Sequence, residues 1–105
     1  MISEGSGKLK VFLKRIQHDD ELILLLGGGE KSHVGCFIVC TPGEKTQLFI
    51  LGTHKDHVVL KPIAEAACVK YDKKIIALGG IHIDDATKEE IDTIVQNCKK
   101  LIDRI

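Results

Sequence analysis

The sequence lacks tryptophan and has few other aromatic side chains, with three Phe and one Tyr among 105 residues. It also lacks a net charge, because Lys plus Arg and Asp plus Glu both total 15. Proteins that bind nucleic acid usually carry a basic excess on one face, and many stack bases on aromatic rings. The composition therefore argues against a nucleic-acid partner.

Long apolar runs are absent as well. The longest, residues 22–26, is far shorter than the roughly 20 residues that cross a bilayer. The first residues have neither the basic start nor the apolar stretch of a secretory signal. We expect no membrane association and a cytoplasmic location.

The four cysteines fit a reducing compartment. Cys36 and Cys40 lie on one strand-like run, where four residues span roughly 13 Å, too far for a disulfide. Cys68 and Cys98 lie in helical patterns among apolar residues. All four are expected to be reduced thiols that act as small core residues.

The chain length predicts a single domain, which we place at residues 8–105 after a flexible tail over residues 1–7. Apolar patterns predict strands at residues 8–16, 21–26, 34–41, 46–51 and 74–78. Helical spacing predicts one helix over residues 58–71 and a last helix with a Thr87–Glu90 capping box. Short polar turns favour an antiparallel meander of four strands followed by α-β-α. The predicted class is α+β, a two-layer α/β sandwich with its helices mainly on one sheet face.

Several predicted strands are apolar at consecutive positions, so both faces of the sheet need cover. Two helices cover one face, and an exposed apolar face is rare in monomers. We therefore expect a homodimer.

Three of the five histidines lie beside glycines at the ends of strand-like runs. They are His33 in Ser32-His33-Val34-Gly35, His54 in Gly52-Thr53-His54-Lys55-Asp56, and His82 in Gly79-Gly80-Ile81-His82. Glycine permits close backbone approach, and histidine donates hydrogen bonds and titrates near neutral pH. If the three segments meet at one sheet edge, they form a polar pocket.

His82 has the sharpest pattern. If its strand continues, His82 and Asp84 point to the same side, and a carboxylate beside an imidazole raises its basicity. The alternative is that Asp84 and Asp85 only lead into a capped helix, whose positive end favours acidic residues. A zinc site built from the three histidines is disfavoured, since no paired ligand spacing is present.

The glycine run Gly27-Gly28-Gly29-Glu30-Lys31-Ser32 does not have the spacing of a phosphate-binding P-loop, and a strand follows it. Its backbone amides remain candidates for holding an anionic group.

Three segments together resemble the LpdD-like family of prenylated-flavin chaperones. They are Gly28-Gly29 through Gly35, Gly52-Thr53-His54-Lys55-Asp56, and Gly80-Ile81-His82-Ile83-Asp84-Asp85 running into Ile91. The resemblance extends from about Gly27 to Ile102 and implies a domain similar to proteasome-assembly chaperones, which tends to dimerise.

The resemblance further implies a non-enzymatic protein that holds prenylated flavin mononucleotide and assists a UbiD-type decarboxylase. The residues that it assigns to cofactor binding are His33, His54, Lys55, His82 and Asp84, with Gly28, Gly29 and Gly80. Lys55 would balance the phosphate charge, and the histidines would donate to phosphate or flavin oxygens. Ser32 departs from the family pattern, in which proline often precedes the first histidine.

Two other functions stay open. One is a small enzyme that uses His82 and Asp84 as an acid–base pair, with or without a metal ion. The other is a pure assembly scaffold in which the histidines are structural.

Overall fold

A computed structural model of the protein describes residues 1–52 and 55–105. Its elements are β1 (Ile2–Glu4), β2 (Val11–His18), β3 (Glu21–Gly28), β4 (Lys31–Cys40), β5 (Gln47–Ile50), α1 (His57–Tyr71), β6 (Lys74–His82) and α2 (Lys88–Ile102). A short 3-10 turn at Gly7–Leu9 separates β1 from β2. The strands form one mixed sheet in the order β1-β2-β3-β6-β4-β5. This architecture confirms the predicted α+β class.

Both helices pack on one face of the sheet, where they share a single buried apolar cluster with β2, β3, β4 and β6. Helix α1 contacts β4 and β6, and α2 contacts β1 and β2. In β3, Leu22, Leu24 and Leu26 point into this core and are each 1% exposed. The alternation of a strand sends the residues between them to the opposite face.

The cysteines belong to this core, as the sequence predicts. All four are free and buried. Burial raises the pKa of the Cys98 thiol to about 12, so it stays protonated near neutral pH.

The strand order differs from the predicted meander, because β6 lies between β3 and β4. It pairs in parallel with β3 and antiparallel with β4. Gly29 and Glu30 carry the chain across the end of β6, where the Glu30 N–H donates to the His82 carbonyl at 2.9 Å. The three Cα–Cα steps from Gly28 to Lys31 span up to about 10 Å. This equals the spacing of two strands that have a third strand between them. A short connection usually indicates a hairpin, which is why the pattern favoured direct pairing.

The N-terminal segment also differs from prediction. Residues that the sequence assigns to a flexible tail form β1, which pairs antiparallel with β2. The side-chain amide of Asn97 in α2 donates to the Leu9 carbonyl at 3.0 Å, and Arg104 donates to the Ser3 carbonyl at 2.6 Å. These two side-chain partners are 88 and 101 residues away in the chain, so the local composition of the segment does not reveal them.

Helix α2 begins with the predicted capping box. The Thr87 hydroxyl accepts from the Glu90 N–H at 3.1 Å, and the Glu90 carboxylate accepts from the Thr87 N–H at 2.9 Å. Over residues 1–52 and 55–105, neither helix combines the length and the apolar character that crossing a membrane requires.

The face of the sheet opposite the helices, which we call the open face, is largely apolar. Strand register places these side chains on it: Ile16, Ile23, Leu25, Phe37, Val39, Phe49, Ile76 and Leu78. Phe37 and Phe49 contact each other with ring centroids 5.7 Å apart. Phe49 is 52% exposed and Ile16 is 41% exposed. The open face is therefore a continuous surface of half-buried and exposed apolar groups.

The crossing at Gly29 yields the first prediction. Gly29 has φ +74°, and an added Cβ would lie 2.6 Å from the His82 carbonyl oxygen. Gly43 has a similar φ of +78°, but an added Cβ there meets nothing within 4 Å. We expect Gly43→Ala to lower the free energy of unfolding by about 1 kcal/mol, the cost of a left-handed alanine. Gly29→Ala should cost clearly more, because β6 must also move. Equal losses in urea denaturation would contradict this account of the crossing.

Candidate functional site

A bulge in β4 positions His33. The pairing of β4 with β6 shifts between Ser32 and Cys36, so that three residues of β4 lie opposite Gly80 alone. Bulges of this kind re-aim side chains. The His33 ring occupies the space beside Gly80, and a Cβ on Gly80 would lie 2.6 Å from the His33 Nε2 atom. Gly80 is therefore needed so that His33 can pack against the backbone of β6.

Asp56 ties three elements together at this point. Its Oδ2 atom is 2.9 Å from the His33 Nε2 atom in β4, and its Oδ1 atom accepts from the Ile81 N–H in β6 at 3.0 Å. Asp56 itself stands at the start of α1 and is only 9% exposed. The sequence suggests a helix cap here, but the carboxylate makes no capping bond. It binds the two strands instead.

Sequence reasoning did not assign Asp56 to the site. Its position, in a segment already selected for His54 and Lys55, was the available signal. That signal did not distinguish it from an ordinary cap, because its two partners, His33 and Ile81, are more than twenty residues away in the chain.

His82 and Asp84 form a second, more exposed pair. Strand β6 continues to His82, and its Nε2 atom is 2.7 Å from the Asp84 Oδ1 atom, in agreement with the spacing argument. The Asp84 backbone N–H donates to Glu30 at 2.8 Å, which fixes the segment after the strand. The rings of His33 and His82 are 5.9 Å apart. Two histidines from distant segments thus converge.

The other predicted site residues that the structure describes lie in different surroundings. Lys55 is exposed beside Asp56, whereas His54 lies outside the described residues. The amides of Gly28 and Gly29 donate within the fold, to the Ser32 hydroxyl and the Lys10 carbonyl, each at 3.0 Å. These two N–H groups are therefore engaged, and the polar groups of the site are side chains.

An apolar groove of about 360 Å³ adjoins these side chains. It lies between the start of α1, the end of β6 and the first half of α2. Its aliphatic walls include Val58, Val59, Ile81, Ile83, Ile91 and Ile94. Its polar end is formed by Lys55, Asp56 and His82. The arrangement suits a ligand that is apolar on one side and hydrogen-bonding or anionic on the other.

We call His33, Lys55, Asp56, His82 and Asp84 the polar cluster. Its carboxylates orient the two imidazoles, and Lys55 adds a positive charge. Over the described ranges 1–52 and 55–105, no three His, Cys, Asp or Glu side chains come together in a way that could hold a metal ion.

The Cys36 thiol lies close enough to Asp56 for the carboxylate charge to influence its pKa. Burial first, and the charge of Asp56 second, raise the pKa of its thiol to about 11. A protonated thiol is a poor nucleophile. The donors, the lysine and the carboxylates of this set can bind a polar or anionic ligand.

The two His–Asp pairs differ in burial, which gives a prediction for stability. Asp56→Ala leaves the Ile81 N–H without its acceptor and removes the His33 contact, so we expect a loss of about 2 to 3 kcal/mol of unfolding free energy. Asp84→Ala removes an exposed pair and should cost about 0.5 kcal/mol. Chemical denaturation of both variants makes the comparison. If Asp84→Ala were the more damaging change, the structural role of Asp56 would have to be abandoned.

Comparison with solved structures finds the same fold in a protein with little sequence similarity. A chain from the structure titled "Crystal Structure of a Novel Chaperone Complex for Yeast 20S Proteasome Assembly" superposes with a TM-score of 0.59 at 12% identity. The match covers 98% of this chain and 94% of that chain. At this identity the similarity establishes the fold alone. Among curated protein sequences there is no match.

A family model matches residues 5–105, and its description is "Prenylated flavin chaperone LpdD-like domain". The match includes the bulge at His33, the Asp56 segment and the end of β6. It confirms the family that the glycine–histidine segments suggested. The chain belongs to the LpdD-like prenylated flavin chaperone domain family.

Proposed function

We propose that this protein binds prenylated flavin mononucleotide without transforming it and helps to supply a UbiD-type decarboxylase with the cofactor. The observation that carries the proposal is the joining of an apolar groove to a His–Asp–Lys cluster, in a chain of this family. The family description supports a prenylated flavin as the ligand. The decarboxylase as recipient is part of our proposal.

The polar cluster suits the polar parts of such a cofactor. His82 can donate to flavin or phosphate oxygens, and charge-assisted bonds of this kind are the stronger ones. His33 belongs to the proposed set because its ring lies 5.9 Å from that of His82. Asp84 fixes the orientation of His82. Lys55 is exposed at the rim and can pair with the phosphate. His54, the neighbour of Lys55, belongs to the proposed set on the strength of the sequence resemblance.

Gly29 and Gly80 contribute to the proposed site by shaping it, and Gly28, which packs closely against Lys10 and Val11, precedes the crossing. Gly80 leaves room for the His33 ring, and Gly29 lets the chain cross the end of β6 beside His82. A side chain at either position would displace one of the two histidines. Their part in cofactor binding, in this proposal, is to keep His33 and His82 where a ligand can contact both.

The groove is large enough for part of a flavin. Its volume of about 360 Å³ lies near the lower end of the roughly 300–1,000 Å³ of small-molecule pockets. Among the described residues that line it, His82 provides the one ring, so the part of the cofactor that enters the groove would pack mainly against Val and Ile side chains. Such walls hold a ring system with little directional specificity, which fits transient binding followed by release to an enzyme.

We also propose that two copies associate through the open face. The apolar side chains there, with Phe37 and Phe49 at one end, form the kind of surface that soluble proteins bury in an interface. A two-fold dimer would place the same patch of each copy against the other. The proposed partners of this protein are therefore a UbiD-type decarboxylase and a second copy of the same chain.

Cofactor binding is tested by titrating the purified protein with prenylated flavin mononucleotide, prepared without oxygen, and following flavin absorbance and fluorescence. We expect saturable binding that His82→Gln weakens by about tenfold, since a hydrogen bond to a charged group is lost. His18→Gln is the matched control, because His18 is exposed at the turn between β2 and β3. It should bind as the unmodified protein does.

The same preparation then tests the role in supply. Activity of a UbiD-type decarboxylase produced with a flavin prenyltransferase should rise when this protein is co-produced, and should rise less with His82→Gln. Lack of binding by the unmodified protein, together with unchanged decarboxylase activity, would refute the proposal. Chemical conversion of the cofactor or of a substrate by this protein alone would instead favour the acid–base enzyme built on His82 and Asp84.

The dimer is tested by light scattering at micromolar concentration. We expect twice the chain mass, and we expect Phe49→Lys, which places a charge on the open face, to shift the protein toward monomer. Val69→Lys is the control, because Val69 is 84% exposed on α1, on the helical side of the sheet. A monomer mass for the unmodified protein would exclude the proposed association.

A further inference from the structure

The apolar groove is lined mainly by aliphatic side chains, which the recognition of a phosphate or of the polar edge of a flavin does not require. Its walls are branched aliphatic side chains from three elements, and two of them, Val58 and Ile91, are 57% and 50% exposed at its rim. Exposed branched side chains on both sides of a concave surface leave a solvent-accessible apolar slot. Such a slot gains binding free energy only from a ligand part that is itself apolar.

The slot and the polar cluster are continuous. His82 and Asp56 line the groove, and both also adjoin His33, through rings 5.9 Å apart and through a 2.9 Å contact to its Nε2 atom. A ligand that contacts the His82 imidazole therefore has its neighbouring atoms at the mouth of the slot. A group attached to a flavin near that contact can reach Ile81 and the apolar walls.

Prenylated and plain flavin mononucleotide differ in one respect that matches this slot. Both carry the phosphate and the polar edge of the ring system, but the prenylated form has an additional ring, which an isoprenyl unit closes on the flavin and which presents aliphatic carbon atoms. The polar cluster cannot distinguish the two, because the groups that it contacts are common to both. An aliphatic slot can distinguish them, because burying even one methylene group is worth about tenfold or more in affinity.

We propose that the groove between α1 and α2 is the specificity site of this protein, which receives the isoprenyl-derived ring and selects the prenylated cofactor over plain flavin mononucleotide. The inference rests on the proposed function, since it assumes that a flavin binds at the polar cluster. It adds the discrimination between the prenylated and the plain flavin. It assigns this discrimination to Val58, Ile91 and the groove walls between them.

The test compares the affinities of the two flavins for three variants. Ile91→Lys and Val58→Lys place a charge on opposite sides of the slot, at positions exposed enough to accept lysine without refolding the core. Val69→Lys is the control, as a valine-to-lysine change on the same helix as Val58 but away from the groove. Circular dichroism and thermal melting establish that each variant is folded.

We expect the unmodified protein to bind prenylated flavin mononucleotide at least about tenfold more tightly than the plain form. Each groove variant should lose about tenfold in affinity for the prenylated form and change less than about twofold for the plain form. Val69→Lys should keep both affinities.

The outcomes separate the two proposals. If the unmodified protein binds neither flavin, the proposed function fails, and the specificity site fails with it. If it binds both flavins equally, or if Ile91→Lys and Val58→Lys leave the preference intact, the specificity site is refuted while cofactor binding stands. Equal weakening of both flavins by the groove variants would also refute it, because the groove would then hold the part that the two cofactors share.

Discussion

The site depends on a single carboxylate. Asp56 is joined to β4 through His33 and to β6 through the Ile81 N–H, while its own backbone starts α1. These are the three elements that form one end of the sheet and the nearer wall of the groove. A partly buried carboxylate that satisfies a backbone donor and an imidazole at once is costly to remove, because both partners lose a bond in a region that water reaches poorly. The positions of His33, Gly80 and the first turn of α1 are consequently coupled.

The same end of the sheet explains the density of glycine there. Strand β6 is inserted between β3 and β4, and the chain must pass over its last residue within two residues, Gly29 and Glu30. A side chain at Gly29 would meet the His82 carbonyl, and one at Gly80 would meet His33 and Asp56. Glycine thus serves close packing of backbone and functional side chains. The hypothesis that the amides of these glycines bind an anion is less consistent with the structure, because the Gly28 and Gly29 N–H groups already donate to Ser32 and Lys10.

Local patterns in the sequence predicted the parts of the fold that local energetics determine. The Thr87–Glu90 box is formed by residues three apart, and the apolar run of β3 marks a buried strand by itself, so both can be read from short stretches. Which of its side chains face the helices cannot be read in this way, because residues 22–26 are all apolar. The neighbours of β6 cannot, because they depend on which of several apolar strands pairs with it at long range. For the same reason the His82–Asp84 pair was predictable from a spacing of two residues, whereas the Asp56–His33 contact was not. The glycine–histidine segments gave the convergence of the histidines only as a hypothesis, and the family resemblance assigned them to one site.

The arrangement of surfaces bears on how a binding protein of this kind can work. The groove is bounded by α1 and α2, which cover one face of the sheet, whereas the open face lies on the other side. A second copy docked on the open face would leave the mouth of the groove accessible, because the two surfaces are separated by the thickness of the sheet. Cofactor binding and self-association would then not compete for the same side chains. Under the proposed function, an enzyme that receives the cofactor would approach from the helical side, where Lys55, Val58 and Ile91 are exposed. Its contacts with the rim would then involve the residues that we propose to hold the apolar part of the ligand, so docking and release would be coupled.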